Sequence, residues 1–202
     1  MRLRNDPQAQ SYIDQSDFVI KNFPIKLDQN VILEIGMGKG EMLTELARLK
    51  PEQTFIGIEK FPTVTMKAIK KAQKLNLKNF FVINEDLTNL VDAFSGQVEQ
   101  IWLTFSDPWP KKRHYKRRLT YQFFLKIYQQ LLAQNGILKI KTDNDDFFLW
   151  SIHQIIKFGA QISFITTDLH QSIKNENNIE TGYETKWRLL GKKINYMEVK
   201  FD

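Results

Sequence analysis

Glu34-Ile35-Gly36-Met37-Gly38-Lys39-Gly40 sets three glycines at alternate positions directly after an apolar run. Glycines at a strand-to-helix turn let the backbone approach a ligand closely, and open α/β sheets bind ligands beyond the carboxyl ends of their strands. The G-x-G-x-G spacing differs from the G-x-G-x-x-G that seats a dinucleotide pyrophosphate on a helix N-terminus. Three carboxylates sharpen the reading: Glu34 before the turn, Glu59 ending a second apolar run and Asp86 just after a third. An acid in the place of Glu59 can accept from both ribose hydroxyls, in NAD and in S-adenosyl-L-methionine alike. Glu34 separates the two, because a carboxylate beside the turn repels a pyrophosphate and attracts the ammonium group of a methionine moiety. Asp86 can accept from an adenine amine in either ligand. A single acid at a strand end often does no more than meet solvent; three at successive strand ends beside a glycine turn make a pocket for S-adenosyl-L-methionine.

The second chemical stretch is Ser106-Asp107-Pro108-Trp109-Pro110, which runs into Lys111-Lys112-Arg113-His114-Tyr115-Lys116-Arg117-Arg118. The chain of 202 residues carries 29 Lys and Arg against 23 Asp and Glu, a net +6. Outside this basic block the two signs balance at 23 each, so all of the net charge sits in one segment. A block of like charge repels itself and, unless it is merely a solvated face, calls for a polyanionic partner. Trp109 can stack on a base or pack on the protein.

Composition closes other routes. With 42% hydrophobic and 12% aromatic residues the chain can bury a sizeable core, which excludes intrinsic disorder. No apolar run approaches the ~20 residues needed to cross a bilayer, and Asp6, Asp14 and Asp17 stand where a secretory signal would be uncharged. A cytoplasmic, membrane-free setting is therefore expected. The absence of cysteine removes disulfides, thiolate nucleophiles and thiolate metal sites, and three scattered histidines argue against a zinc centre, so no metal is expected.

The elements that must position these residues follow from periodicity. Short apolar runs alternate with amphipathic stretches, the βαβ pattern of an α/β protein with a doubly wound, mostly parallel sheet. Strands are expected at 31–35, 55–58, 80–83, 100–105 and 137–142, and helices at 41–49, 63–75, 87–94, 119–134 and 147–158. Strands at 162–166 and 194–201 then close the sheet. Pro108 and Pro110 keep 106–118 out of any strand or helix interior and make it the loop ending the fourth strand. Strands one and four adjoin where a doubly wound sheet reverses direction, which turns Asp107 toward the transferred group. Residues 1–29 hold no strong strand signal; Arg2, Arg4 and Pro7 suggest a basic arm ahead of a short helix, and 30–202 is read as one domain.

The run from Ser106 to His114, with Arg117-Arg118-Leu119, resembles the signature of the bacterial tRNA (guanine-N7)-methyltransferases, the TrmB family. The glycine turn, Glu59, Asp86, Lys141-Thr142-Asp143 and Thr181-Gly182-Tyr183-Glu184 follow in the family's order, and the likeness extends from about residue 2 to the end. The Asp-Pro-Trp-Pro block is the specific part. The resemblance implies a Rossmann-like class I S-adenosylmethionine-dependent methyltransferase whose seven-stranded sheet has an antiparallel last strand. It further implies methyl transfer to N7 of a variable-loop guanosine in tRNA, conventionally position 46; the sequence leaves monomer or homodimer open. Carried over, Glu34, Gly36, Gly38, Glu59, Asp86 and Asp107 face the cofactor, and Asp107 is also catalytic. Lys111, Asp143, Thr181, Gly182, Tyr183 and Glu184 face the substrate, while Arg113, His114, Tyr115, Lys116, Arg117 and Arg118 face the RNA. Gly182 departs from the pattern, which usually has a larger side chain there; the motif keeps its hydroxyl, ring and carboxylate on a looser loop.

The chemistry is consistent from below. Guanine N7 is a neutral acceptor with a free lone pair, so it attacks a sulfonium methyl without losing a proton, and the lack of a histidine or cysteine catalyst is no obstacle. Holding N7 in line is worth several kcal/mol. Asp107 can add electrostatic stabilisation as the base becomes positive, and Asp107 or Asp143 can accept from guanine N1–H or the 2-amino group. A guanosine buried in folded tRNA must be unstacked, at a few kcal/mol, and Tyr115 and Trp109 are candidates to replace the lost stacking. Among competitors, an NAD-dependent oxidoreductase conflicts with Glu34 and the glycine spacing. An exocyclic-amine methyltransferase conflicts with Pro110 in place of an aromatic residue, and a non-catalytic RNA-binding protein leaves the three carboxylates without purpose.

Overall fold

The computed structural model describes residues 5–201, and the chain forms two compact units, Met1–Gly96 and Gln97–Asp202. Arg2 and Arg4 of the expected arm lie outside the described residues.

In the first unit three parallel strands, β1 (Val31–Ile35), β2 (Thr54–Ile58) and β3 (Phe80–Ile83), stand in the order β3-β2-β1, with Leu33 opposite Ile56 and Ile56 opposite Phe81. All five residues of β1 are buried. A strand covered on both faces reads as an unbroken apolar run, so Glu34 is conspicuous within it. Helix α1 (Ala9–Asp14) precedes the sheet, and α2 (Glu41–Leu49) and α3 (Pro62–Lys74) are the crossovers. Pro62 opens α3 where a missing N–H costs nothing. Val64, Ala68, Ile69 and Ala72 face inward, and Lys67, Lys70 and Lys74 face solvent.

The amino-terminal segment is more firmly tied than its sequence suggests. The Asp6 N–H donates to Thr63 Oγ1 at 2.9 Å, placing α1 against α3. Ile20 N–H reaches the Val82 carbonyl of β3 at 2.9 Å, and Ile25–Lys26 pairs in parallel with Phe94–Ser95. The helix expected at 87–94 shrinks to a single 3-10 turn, Leu87–Asn89: residues 90–93 are turn, and Phe94 is drawn into the pairing with Ile25.

The second unit holds β4 (Val98–Thr104), β5 (Leu132–Thr142), β6 (Gln161–Thr166) and β7 (Asn195–Lys200) in the order β4-β5-β7-β6. β4 and β5 are parallel, and β7 runs against both of its neighbours. Within each unit the strands are thus mostly parallel, and the last strand, β7, is antiparallel. Helix α4 (Gln122–Leu131) is shorter than the expected 119–134. Its start is delayed by a turn in which Tyr121 N–H donates to the Arg118 carbonyl at 2.9 Å. Its end is forced by Leu132, which already pairs with Val98 ahead of a bulge, so Gly136 lies inside β5.

Helix α5 (Asp145–Phe158) begins under an Asn144 cap, whose side chain accepts from Phe147 N–H at 2.8 Å, and ends on left-handed Gly159. The polar stretch before β7 contains an unexpected helix, α6 (Gly182–Leu189), in which only Glu184 is buried. Among the described residues no helix is long and apolar enough to cross a membrane.

Candidate active site

In the first unit the glycine turn is built from left-handed backbone: Gly36, Gly38 and Gly40 have φ of 72°, 57° and 62°. The N–H groups of Gly36 and Met37 both reach the Ile58 carbonyl, at 2.8 and 3.3 Å, folding the turn over the end of β2. Gly57 makes this possible. A Cβ there would lie 2.0 Å from Met37 Sδ, so the bare strand position is the slot that receives the Met37 side chain. Sequence reasoning missed this pairing, for which an isolated glycine within a strand was the available signal. At Gly38 a Cβ would meet nothing within 4 Å, leaving the backbone open to a ligand.

Glu59 is buried, and each of its oxygens holds one backbone donor: Gly38 N–H on Oε2 at 3.0 Å and Phe61 N–H on Oε1 at 2.9 Å. Each oxygen keeps a further lone pair, an acceptor pair suited to vicinal ribose hydroxyls. Burial pushes the Glu59 carboxyl above the usual glutamate range, against the pull of those N–H donors and of Lys60. Glu34 is 2% exposed and stands opposite Gly57. Asp86 accepts from Thr88 N–H (3.1 Å), Thr88 Oγ1 (2.9 Å) and Lys60 Nζ (3.2 Å). Partial burial raises its pKa, but those donors together outweigh it and hold the carboxyl below its usual range. A buried acid beside the turn, a half-satisfied acid after β2 and a third acid after β3 fit an adenosine ligand with an ammonium group. A cavity of about 750 Å³ in this unit is lined instead by α1, Ile20, Phe23 and residues 83–85 and 88–93. It includes neither the glycine turn nor Glu34 or Glu59, so it is a different feature.

In the second unit β4 runs out through Phe105 (φ 51°) and buried Ser106 to exposed Asp107. Asp107 Oδ1 accepts from Trp109 N–H at 3.3 Å, and Trp109 itself is left-handed, φ 41°. The Trp109 ring meets the edge of His114 at 5.6 Å and lies under the Arg117 guanidinium at 5.0 Å, so this ring packs on protein. The basic block forms 3-10 turns over Lys112–Arg117, with Lys111, Lys112, Arg113 and Lys116 in solvent and Tyr115 edge-on to Tyr121 at 5.4 Å. Slight burial and then the charges of Arg117, Arg113 and Lys111 hold His114 below its usual pKa.

Asp143 and Tyr183 come together: the phenol donates to Asp143 Oδ2 at 3.0 Å, and its ring packs on Phe105 at 5.0 Å. Burial, and secondarily the Asp143 charge, push the phenol up. Thr181 and Glu184 turn inward. Thr181 Oγ1 caps α6 by accepting from Glu184 N–H at 3.1 Å. The Glu184 carboxylate is buried on Lys141 Nζ (2.8 Å) and Asn178 Nδ2 (2.8 Å), with His170 Nε2 at 3.3 Å. Gly182 is exposed at the start of the helix. Lys141 was not among the expected site residues, yet it is 1% exposed and also donates to Asn178 Oδ1 (2.9 Å) and the Ile179 carbonyl (3.0 Å). A lysine inside the apolar run of β5 was the signal. Among the described residues no group of three or more His, Cys, Asp or Glu side chains is arranged to hold a metal ion.

A family model described as "Putative methyltransferase" matches residues 28–197. Over 201 residues the chain is 55% identical to the "tRNA (guanine-N(7)-)-methyltransferase" of Mycoplasmopsis pulmonis, covering 100% of this chain and 99% of that protein. It is 50% identical to the protein of the same name from Mesomycoplasma hyopneumoniae strain 7448, covering 100% of both. The crystal structure of "16S rRNA Methyltranferase KamB" matches with a TM-score of 0.63 at 11% identity, covering 100% of this chain and 95% of that one, a likeness of fold. Fold and glycine turn thus define a Rossmann-like class I methyltransferase. Within that class, the chain belongs to the tRNA (guanine-N7)-methyltransferase family.

Proposed function

We propose that the chain transfers the methyl group of S-adenosyl-L-methionine to N7 of a guanosine in tRNA, at variable-loop position 46, in the cytoplasm. The observation that carries this reading is the turn from Asp107 to Arg118. One short, pinned segment holds an exposed carboxylate and, within a few residues, solvent-facing Lys111, Lys112, Arg113 and Lys116. The full-length likeness to proteins named for this reaction supports it.

When bound, S-adenosyl-L-methionine supplies a sulfonium-activated methyl group. Glu34 would hold its ammonium group, Glu59 its ribose hydroxyls and Asp86 its adenine amine, with Gly36 and Gly38 allowing close backbone approach. Because N7 carries a free lone pair, the chain need not remove a proton, and its task is placement and electrostatics. Asp107, with one oxygen fixed by Trp109 N–H, keeps acceptor capacity for guanine N1–H or the 2-amino group, groups that adenine does not present in this pattern. As N7 gains the methyl and the ring becomes positive, the same carboxylate stabilises the developing charge. Asp143 and Tyr183 form a second polar wall for the base. The exposed cations hold phosphates on either side of it.

Incubation with labelled S-adenosyl-L-methionine and unmodified tRNA, followed by chemical cleavage at 7-methylguanosine, tests the proposal. A single cut in the variable loop is the expected result. Label on an exocyclic amine, or cuts elsewhere, sinks the assignment.

A further inference from the structure

We infer that Arg118 is a positioning residue for the 107–110 loop and not one of the cations that meet RNA phosphates. The inference rests on the methyltransferase reading above. The Trp109 backbone is gripped on both sides of its Cα: its N–H donates to Asp107 Oδ1 at 3.3 Å, and its carbonyl accepts from Arg118 Nη2 at 3.2 Å. The guanidinium carbon of Arg118 also lies 4.5 Å from the centre of the Trp150 ring on α5. One side chain therefore ties the loop to a helix of the same unit.

A cation serving phosphates keeps its donors in water until RNA arrives. Arg118 is only partly exposed, and its Nη2 is already engaged on the Trp109 carbonyl. Its Nε is buried with no hydrogen-bond partner in the structure, and burial pulls its pKa down, with Asp146 opposing. Lys112, Arg113 and Lys116 are exposed.

The grip also has strain to contain. A left-handed backbone is uncommon for a residue with a bulky side chain, and Trp109 adopts it directly beside the proposed catalytic carboxylate. Releasing the Trp109 carbonyl would let the Trp109 backbone relax about its φ and ψ and carry the Asp107 Oδ1 contact with it. A lysine cannot replace the arginine, because only a planar guanidinium can lie against an indole while donating from its edge to a carbonyl.

The test compares Arg118→Ala, Arg118→Lys, Trp150→Leu and Lys116→Ala with the wild type, after far-UV circular dichroism and thermal midpoint have established that each is folded. For both Arg118 variants kcat at saturating tRNA should fall about ten- to a hundred-fold, the range for a misplaced catalytic group. Their tRNA Kd and its salt dependence should stay within about two-fold of wild type, since no phosphate contact is lost. Trp150→Leu changes no charge and should reproduce the loss in kcat. Lys116→Ala should show the reverse, weaker binding and a shallower salt slope with kcat retained. The inference is overturned if Arg118→Ala behaves like Lys116→Ala, or if Trp150→Leu or Arg118→Lys turns over at the wild-type rate.

Should the wild type form no 7-methylguanosine, the functional reading fails separately. Tryptophan fluorescence then decides on Arg118: a changed emission in Arg118→Ala upholds the clamp, and an unchanged one overturns it.

Discussion

At the scale of single residues, Glu59 shows how one carboxylate can build a turn and still have capacity to bind. Two of its lone pairs hold Gly38 and Phe61 N–H, and acceptor capacity is left for the ribose hydroxyls of the proposed cofactor. Burial favours the neutral acid, so on acidification Glu59 takes up its proton at a higher pH than an exposed glutamate would. The ionised form is the better acceptor. Cofactor affinity is therefore expected to be full at neutral pH and to fall as pH drops through the raised pKa. Calorimetric titration of S-adenosyl-L-methionine at stepped pH checks this, and Glu59→Gln should bind more weakly and lose that pH dependence. Asp107→Asn should cut turnover severely while tRNA binding persists; kcat within a few-fold of wild type would remove the electrostatic role. The acids at strand ends were legible because an acid interrupts an apolar run. The inward turn of Thr181, Glu184 and Arg118 was not, because a motif's order says nothing about which side chain caps a helix or which cation stacks on an indole.

At the scale of elements, α6 is held by charge more than by apolar contact. Only Glu184 of its eight residues is buried, and that carboxylate and the Lys141 ammonium are both fully enclosed. Removing one partner of such a pair strands the other without compensation. Lys141→Met should then lower stability by about 3–5 kcal/mol, measured by urea unfolding, and a second change, Glu184→Leu, should recover part of the loss. If Lys141→Met unfolds at the wild-type urea midpoint, the pair does not anchor the helix. Its eight residues also explain why α6 escaped sequence reading: the aromatic pair Tyr183 and Trp187 spans barely one turn, and the remaining positions are mostly polar. Helices α2 and α3 have an apolar stripe, and their expected bounds agree with the structure to within a residue. The 119–134 helix was overextended because Leu131 and Leu132 continue the apolar pattern, while pairing with Val98 makes Leu132 the first residue of β5.

At the scale of the whole molecule, net charge was legible at once, but its division of labour was not. Six cations read from the sequence as one phosphate-binding block; in the fold, Arg118 is partly enclosed against Trp150 and engaged on the Trp109 carbonyl, while Arg117 lies over Trp109 and stays exposed. Fewer counterions should then be released on tRNA binding than six charges imply. Lys112→Ala and Lys116→Ala are each expected to lower the slope of log K against log salt by about 0.7–0.9, as filter binding over a salt series will show. An unchanged slope would remove that lysine from the interface. The balance of signs elsewhere is also uneven, since residues 60–83 hold six lysines and no acid. Finally, the chain has five methionines and no cysteine, so no thiol can intercept an oxidant. Met37 Sδ fills the place that a Gly57 side chain would have taken, and the added oxygen of a sulfoxide is polar and bulky. Oxidative damage to that one sulfur would lift the glycine turn off β2, making a packing detail of the core the point where oxidant stress reaches the methyl donor.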